Sequence, residues 1–195
     1  MSWAIVGGGK TQTDTIAWYR VTKEELKPPV DPKEFLKIRL AEASIPGAVG
    51  LLTSADLDRY SDVEKTEEGD TVRSLATVGL ANALRVGDLP HLAEPVGTIN
   101  LLCQVSRPLS QEAFLEALSL AAEARTTALL ESGVLSAETG KPATGTGTDC
   151  IVIAAPRSGE TANYVGKHTL LGHLIGSSVL EAVRSGVREN LDADD

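Results

Sequence analysis

Residues 141–156 read Lys-Pro-Ala-Thr-Gly-Thr-Gly-Thr-Asp-Cys-Ile-Val-Ile-Ala-Ala-Pro, and no other segment restricts the fold as strongly. From Cys150 to Ala155 the run is short, apolar and β-branched, the pattern of a strand inserted into a core. Directly before it, Thr144, Thr146 and Thr148 alternate with Gly145 and Gly147, and Asp149 closes the loop. The chain therefore carries three hydroxyls, unobstructed backbone N–H groups and a carboxylate to the mouth of a buried strand. Sites are commonly built that way, from a rigid scaffold and a polar rim. A glycine-rich turn without a ligand has the same pattern.

Around this stretch the sequence predicts an α/β chain of one domain, residues 1–195: a mixed sheet of about six or more strands, flanked by three main helices starting near Asp31, Ser110 and His168. Trp3-Ala4-Ile5-Val6 is a strand leading to a glycine turn, which is read as a tight hairpin with glycine at positive φ. Gly9-Lys10-Thr11 invites comparison with a phosphate-binding loop. That loop needs glycine five residues before its last glycine, and Ala4 stands there, with a strand-like Asp14 to Val21 rather than a helix following. Asp31 before Pro32 is an N-cap with proline in the first turn. Residues 48–54 form a strand buried on both faces, and Asp56 and Asp58 beyond it read as a solvated acidic turn. Residues 63–70 form an exposed hairpin arm, and residues 72–80 and 98–105 form further strands, with Asn100 unusually polar for the second. Ser110 caps a helix that places Phe114, Leu118, Ala121, Ala122 and Leu129 on one face, with Gly133 past its end. Arg125 lies near that stripe and Glu123 off it; an ion pair with a strand-end partner suits both. Gly172, Gly176 and Ser177 give the last helix a smooth packing face, and residues 189–195 are an acidic tail expected to fray.

Composition removes several classes of function. A formal charge of −9 repels a phosphate backbone, and 4% aromatic residues leave few platforms for stacking bases, so no nucleic acid partner is expected. No apolar run approaches the roughly 18 residues of a membrane span, and the N-terminus lacks a signal-peptide pattern; a cytoplasmic protein without a membrane partner is expected. Cys103 and Cys150 both sit in strand-like apolar runs, as small core residues rather than a disulfide. His168 and His173 are five residues apart, about 140° around a helix, which does not make the i, i+4 zinc pair; no metal is expected.

Gly166-Lys167-His168-Thr169 is the second polar stretch. At a helix start it joins an anion-favouring N-terminus to a cation and to the side chain that titrates near neutrality. If it reaches the same end of the sheet as residues 144–149, the set suits hydrolysis by water: Asp149 or His168 is the general base, and Lys167 with loop N–H groups holds the oxyanion. A Cys150 nucleophile based on His168 is the other arrangement, blunted because an apolar site raises a thiol's pKa. No Gly-x-Ser-x-Gly nucleophile motif is present.

Taken in order, Ala4-Ile5-Val6-Gly7-Gly8, Ala48-Val49-Gly50-Leu51-Leu52-Thr53-Ser54-Ala55, Ala76-Thr77-Val78-Gly79-Leu80-Ala81-Asn82-Ala83, Gly97-Thr98-Ile99-Asn100, Glu123-Ala124-Arg125-Thr126, residues 144–149 and Gly166-Lys167-His168-Thr169 resemble the adenosylcobinamide amidohydrolase family. The resemblance runs nearly end to end. It implies cleavage by water of the amide joining aminopropanol to the corrin ring of adenosylcobinamide, releasing adenosylcobyric acid for cobalamin salvage in the cytoplasm. It fits chemistry that needs no redox or nucleotide cofactor. It also adds Thr77, Asn82, Asn100, Glu123 and Arg125 to Thr144, Gly145, Thr146, Gly147, Thr148 and Thr169 as substrate-binding candidates, because a corrin rimmed with amides needs many hydrogen-bond partners. Family members are expected to carry more sequence upstream of Ser2. A corrinoid-binding or sensing protein without catalysis is the alternative, and a homo-oligomer is compatible with either.

Overall fold

Asp31 does start the first helix: its Oδ1 accepts from the N–H groups of Lys33 and Glu34, and α1 runs Pro32–Glu42. The strands on either side of it, β1 (Ile16–Arg20) and β2 (Val49–Thr53), pair in parallel. Next come β3 (Ser61–Glu67) and β4 (Asp70–Val78), a hairpin turned by Glu68 and Gly69 at φ of 49° and 87°. β4 is antiparallel to β6 (Ile99–Val105), which is parallel to β8 (Cys150–Ala154), giving a mixed sheet in the order β3-β4-β6-β8. A short antiparallel pair, β5 (Ala83–Leu84) and β7 (Gly145–Thr146), stands apart. α2 (Gln111–Glu131) is capped by Ser110, and α3 (Leu170–Leu191) by Thr169. This computed structural model describes residues 1–89 and 97–192.

Alternation along β4 sorts the layers. Val72, Ala76 and Val78 pack with α2 and α3, and the Ser74 hydroxyl meets that of Ser178 on α3. Leu75 points the other way, into a cluster with Val49, Leu51, Leu102, Val152 and Trp18, so the β1-β2 pair covers the opposite face. Gly50 then lies so close to Leu36 and Leu40 that a Cβ there would sit 2.8 and 2.9 Å from their side chains; α1 forms the outermost layer. The order is helices, mixed sheet, parallel pair, helix.

The single-domain α/β class and mixed sheet agree with the sequence reading, but eight strands divide among three sheets among the described residues, and the largest has four. The parallel pair stacks instead of adding to the edge because β2 is apolar on both faces, as its sequence required. Asn100 fastens the stack: its Nδ2 donates to Leu52 O at 2.7 Å. The N-terminal run 3–6 is not a strand; Ser2 and Gly9 close a loop by reciprocal backbone bonds, with Gly7 and Gly9 at positive φ. No helix follows it before residue 32, and Thr11 Oγ1 donates back to Gly7 O, which leaves the phosphate-loop comparison without support. On α2 the buried stripe is Ala113, Ala117, Leu120, Ala121, Ala124, Ala128 and Leu129, one position off the predicted Phe114, Leu118 and Ala122, because small alanines let the helix approach the sheet. α3 continues to Leu191, past the point where fraying was expected, and Asn190 Nδ2 donates to Val78 O; positions 193–195 of that predicted tail lie outside the described residues.

Candidate active site

Asp149 precedes the first residue of β8 and lies at the sheet end where Val78 pairs with Ile99. Four donors meet its two oxygens. Arg125 Nη1 reaches Oδ2 at 2.6 Å, Thr146 N reaches Oδ2 at 3.0 Å, Ile99 N reaches Oδ1 at 3.1 Å, and Thr146 Oγ1 also donates to Oδ1. Its side chain is 7% exposed and that of Arg125 15%. A carboxylate has about four lone-pair sites, so this one is filled by the protein itself. Gly145 is required beside it, since a Cβ there would sit 2.5 Å from Asp149 Oδ2.

The three threonine hydroxyls are likewise engaged internally. Thr144 Oγ1 accepts from Val86 N at 2.8 Å, Thr146 Oγ1 holds Asp149, and Thr148 Oγ1 donates to Gly97 O at 3.0 Å while Thr98 Oγ1 returns a bond to Thr148 O. Asn82 is wedged between Gly97 and Gly147, and its Oδ1 is buried without a partner among the described residues, as is Arg125 Nε. Trp3 Nε1 donates to Asp149 O at 2.7 Å and roofs a pocket of about 370 Å³ lined also by Arg85, Val86, Arg125, Thr144 and Gly147.

The second polar stretch lies elsewhere. Gly186 and Asn190, near the end of α3, contact Val78, which places that end of the helix at the Asp149 side of the sheet. α3 has 22 residues, about 33 Å at 1.5 Å per residue, so its cap Thr169 stands at the opposite end with Lys167 and His168. Lys167 Nζ pairs with Glu123, both exposed, whereas Arg125 pairs with Asp149. Positions two apart on a helix point about 200° apart, so α2 separates the two pairs. His168 is exposed, its ring lying against Gly166. Residues 144–149, Asn82 and Arg125 are brought together, with Asn100 nearby in the sheet; Glu123, Lys167, His168 and Thr169 are not part of that group. Cys150 is next to Asp149, but burial first and the Asp149 charge second push its thiol up to about 12, and Cys103 is pushed up to about 12 by burial.

A cavity of about 770 Å³ opens at the same sheet end. Residues 54–56 and Arg59, residues 78–81, residues 132–135 and the end of α3 line it, and Ala81 links it to the Asn82 corner. Its volume is in the range of small-molecule and cofactor sites. Asp56, read from sequence as a solvated turn residue, is on this wall. Its Oδ1 accepts from Arg20 Nη1 at 2.9 Å and from Asp58 N at 3.4 Å, while its Oδ2 takes no hydrogen bond among the described residues. The sequence signal was its position two residues after Ser54 at the end of a doubly buried strand. The α3 contribution had no such signal, because Glu189 and Asn190 look like tail. Among the described residues no group of three or more His, Cys, Asp or Glu side chains is placed to hold a metal, and no helix is long and apolar enough to cross a membrane.

Segments far apart in the chain thus converge on one sheet end. The chain is 31% identical over 205 aligned residues to an adenosylcobinamide amidohydrolase of Halobacterium salinarum, covering 99% of this chain and 81% of that one. A Methanosarcina mazei protein of the same name is 26% identical over 192 residues, covering 93% of this chain and 86% of its own length. The profile of the adenosylcobinamide amidohydrolase family matches residues 1–195, and with that match over its full length the chain belongs to this family of amidohydrolases.

Proposed function

We propose that the protein hydrolyses the amide between aminopropanol and the corrin ring of adenosylcobinamide, yielding adenosylcobyric acid for cobalamin salvage in the cytoplasm. One observation carries the reading beyond the family. Five of the seven family-like segments meet at the sheet end that opens into the 770 Å³ cavity: Ser54 and Ala55 line the cavity, residues 79–81 continue the wall, Thr98 bonds Thr148, and Arg125 holds Asp149; Trp3, next to the first segment, also contacts Asp149. A macrocycle with polar edges fits a space whose wall mixes Ser54, Asn190 and backbone amides with Val78, Leu80 and Val134.

Amide hydrolysis needs a base for water, donors for the oxyanion and a proton for the leaving amine. Asp149 is saturated by four donors, so its part is to fix Arg125 and the glycine loop against the cavity's edge. Asp56, on the cavity wall, is the base: Arg20 orients one oxygen, and the other, with no hydrogen bond among the described residues, takes a proton from water and passes it to the amine. The test is incubation of purified protein with adenosylcobinamide, with and without a chelator, following aminopropanol by mass spectrometry. Release is expected, and Asp56→Asn should lower kcat by about 10²–10⁴-fold with little change in KM. Tight corrinoid binding without any release would leave a binding protein instead.

A further inference from the structure

Trp3 is an exposed aromatic residue that the fold holds in place. It is 48% exposed, yet the chain is fixed on both sides of it: Ser2 pairs with Gly9 and Val152, and Val6 exchanges backbone hydrogen bonds with Gly50. The ring is fixed as well, because Nε1 donates to Asp149 O at 2.7 Å. Trp3 lines the 370 Å³ pocket beside Asp149, whereas Tyr60 and Tyr164, the other strongly exposed aromatics among the described residues, do not. An indole that is already oriented loses little freedom when a ligand covers it. A flat ring stacked on it gains about tenfold or more in binding.

The pocket also selects what stacks there. Asp149 is the one carboxylate among its lining residues and is saturated by the protein, so no free anion is offered. Arg85 has Nη1 held by Pro142 O at 2.9 Å, and the rest of its guanidinium makes no hydrogen bond among the described residues. A guanidinium only donates. The matching occupant therefore has a flat face for Trp3 and acceptors for Arg85, and the ring nitrogens of adenine supply such acceptors. Position agrees with that occupant. The pocket lies at the start of β8 and the 770 Å³ cavity at the end of β4, with β6 between, which is about 10 Å at ordinary strand spacing. Ala81 is on the cavity wall, and its neighbour Asn82 packs against Gly147 of the pocket, so one partition divides the two spaces. A ligand filling the cavity reaches Trp3 through an arm that stands off its main body. We propose that Trp3 is the stacking platform for the adenine of the substrate's adenosyl group, with Arg85 donating to the ring nitrogens. This rests on the function proposed above.

Protein labelled with nitrogen-15 gives two indole N–H signals, from Trp3 and Trp18, assigned with Trp3→Phe. Titration with 5′-deoxyadenosine should move the Trp3 signal saturably and leave Trp18 in place. A Trp3 signal that stays put with the nucleoside, or moves only with inorganic phosphate, overturns the platform. In turnover, Trp3→Leu should cut the preference in kcat/KM for adenosylcobinamide over its analogue with methyl in place of adenosyl about tenfold, while Trp3→Phe, which still offers a ring, should keep most of it. Both variants lose the Nε1 bond to Asp149 O, so a merely structural role would make them behave alike, and equal effects on the preference overturn the platform. Hydrolysis with the adenosyl preference intact in Trp3→Leu sinks the platform and spares the function. A Trp3 signal moved by the nucleoside in a protein that releases no aminopropanol does the reverse.

Discussion

Residues 144–149 and 166–169 look alike as text: glycines, threonines and a charged side chain within a few positions, each beside a core element. In the fold they are opposites. The first is knotted into itself, with Asp149 7% exposed and every hydroxyl engaged, at the sheet end where the cavities open. The second is a helix cap in solvent, with Lys167 71% exposed and paired to Glu123 on α2. Polar residues spaced by glycine therefore mark where the backbone is bent and capped, while the length and phase of the helices decide which bend meets the substrate. A turn that spends its hydroxyls on itself shapes a site without having to do its chemistry.

The sharpest test of this contrast is Asp149→Asn. The change leaves Arg125 buried without its counter-charge, and removing one member of a buried pair costs about 3–5 kcal/mol. In a protein of this size each kcal/mol lowers Tm by about 2–4 °C, so a fall of roughly 10 °C is expected, with kcat/KM for adenosylcobinamide down about a hundredfold or more. Retention of full turnover would make residues 144–149 a scaffold remote from the site. Next comes Gly145→Ala, whose Cβ would press on Asp149 Oδ2 at 2.5 Å. Strain of about 1–3 kcal/mol is expected, with a roughly tenfold loss of kcat/KM. An unchanged Tm would show that the loop yields and that Asp149 is not clamped.

Much of this contrast was readable from the chain, and the unreadable part has a physical cause. Local rules succeeded where the determinant was local: Asp31, Ser110 and Gly133 are set by helix caps, and strand burial followed from β-branched runs. The predicted strand-end partner of Arg125 is Asp149. What failed depended on distance in three dimensions. Nothing near Gly166 records that 22 residues of helix will carry its neighbours to the far end of the sheet. Nothing near Glu189 reveals that Asn190 will bond Val78 O. The resemblance made Thr77 and Asn100 alike substrate-binding candidates; Asn100 instead fastens two layers, and Thr77 Oγ1 is buried without a partner among the described residues, a difference decided by where β1 and β2 stack.

Within the first region, Cys150 separates position from reactivity. It adjoins Asp149, yet its thiol is pushed up to about 12, so it carries no thiolate at neutral pH. Iodoacetamide at neutral pH should leave turnover unchanged, and Cys150→Ser should stay active; inactivation by the reagent would make the thiol the nucleophile. The same burial has an alkaline signature. The unfolded thiols of Cys150 and Cys103 ionise near 9 while the folded ones hold their protons to about 12. Above about pH 9 the unfolded chain therefore binds fewer protons than the native one, and stability falls as pH rises by up to about 1.4 kcal/mol per pH unit for each thiol. Denaturant midpoints measured across that range should decline, and the decline should shrink in Cys150→Ser.

The smallest effects belong to the second region. Lys167→Met breaks an ion pair whose side chains are 71% and 52% exposed, and exposed pairs are worth about 0–1 kcal/mol. A Tm change within about 2 °C is expected, and it should vanish at high salt because screening already removes the attraction. His168→Ala removes an exposed ring resting on Gly166, and should alter kcat/KM by less than about twofold, with no change in the shape of the pH profile. Loss of turnover in His168→Ala, with Tm preserved, would mean that substrate extends along α2 to the far end of the sheet. The base would then be an imidazole and not Asp56, and the two polar stretches would be halves of one site, joined by the ligand and not by the fold.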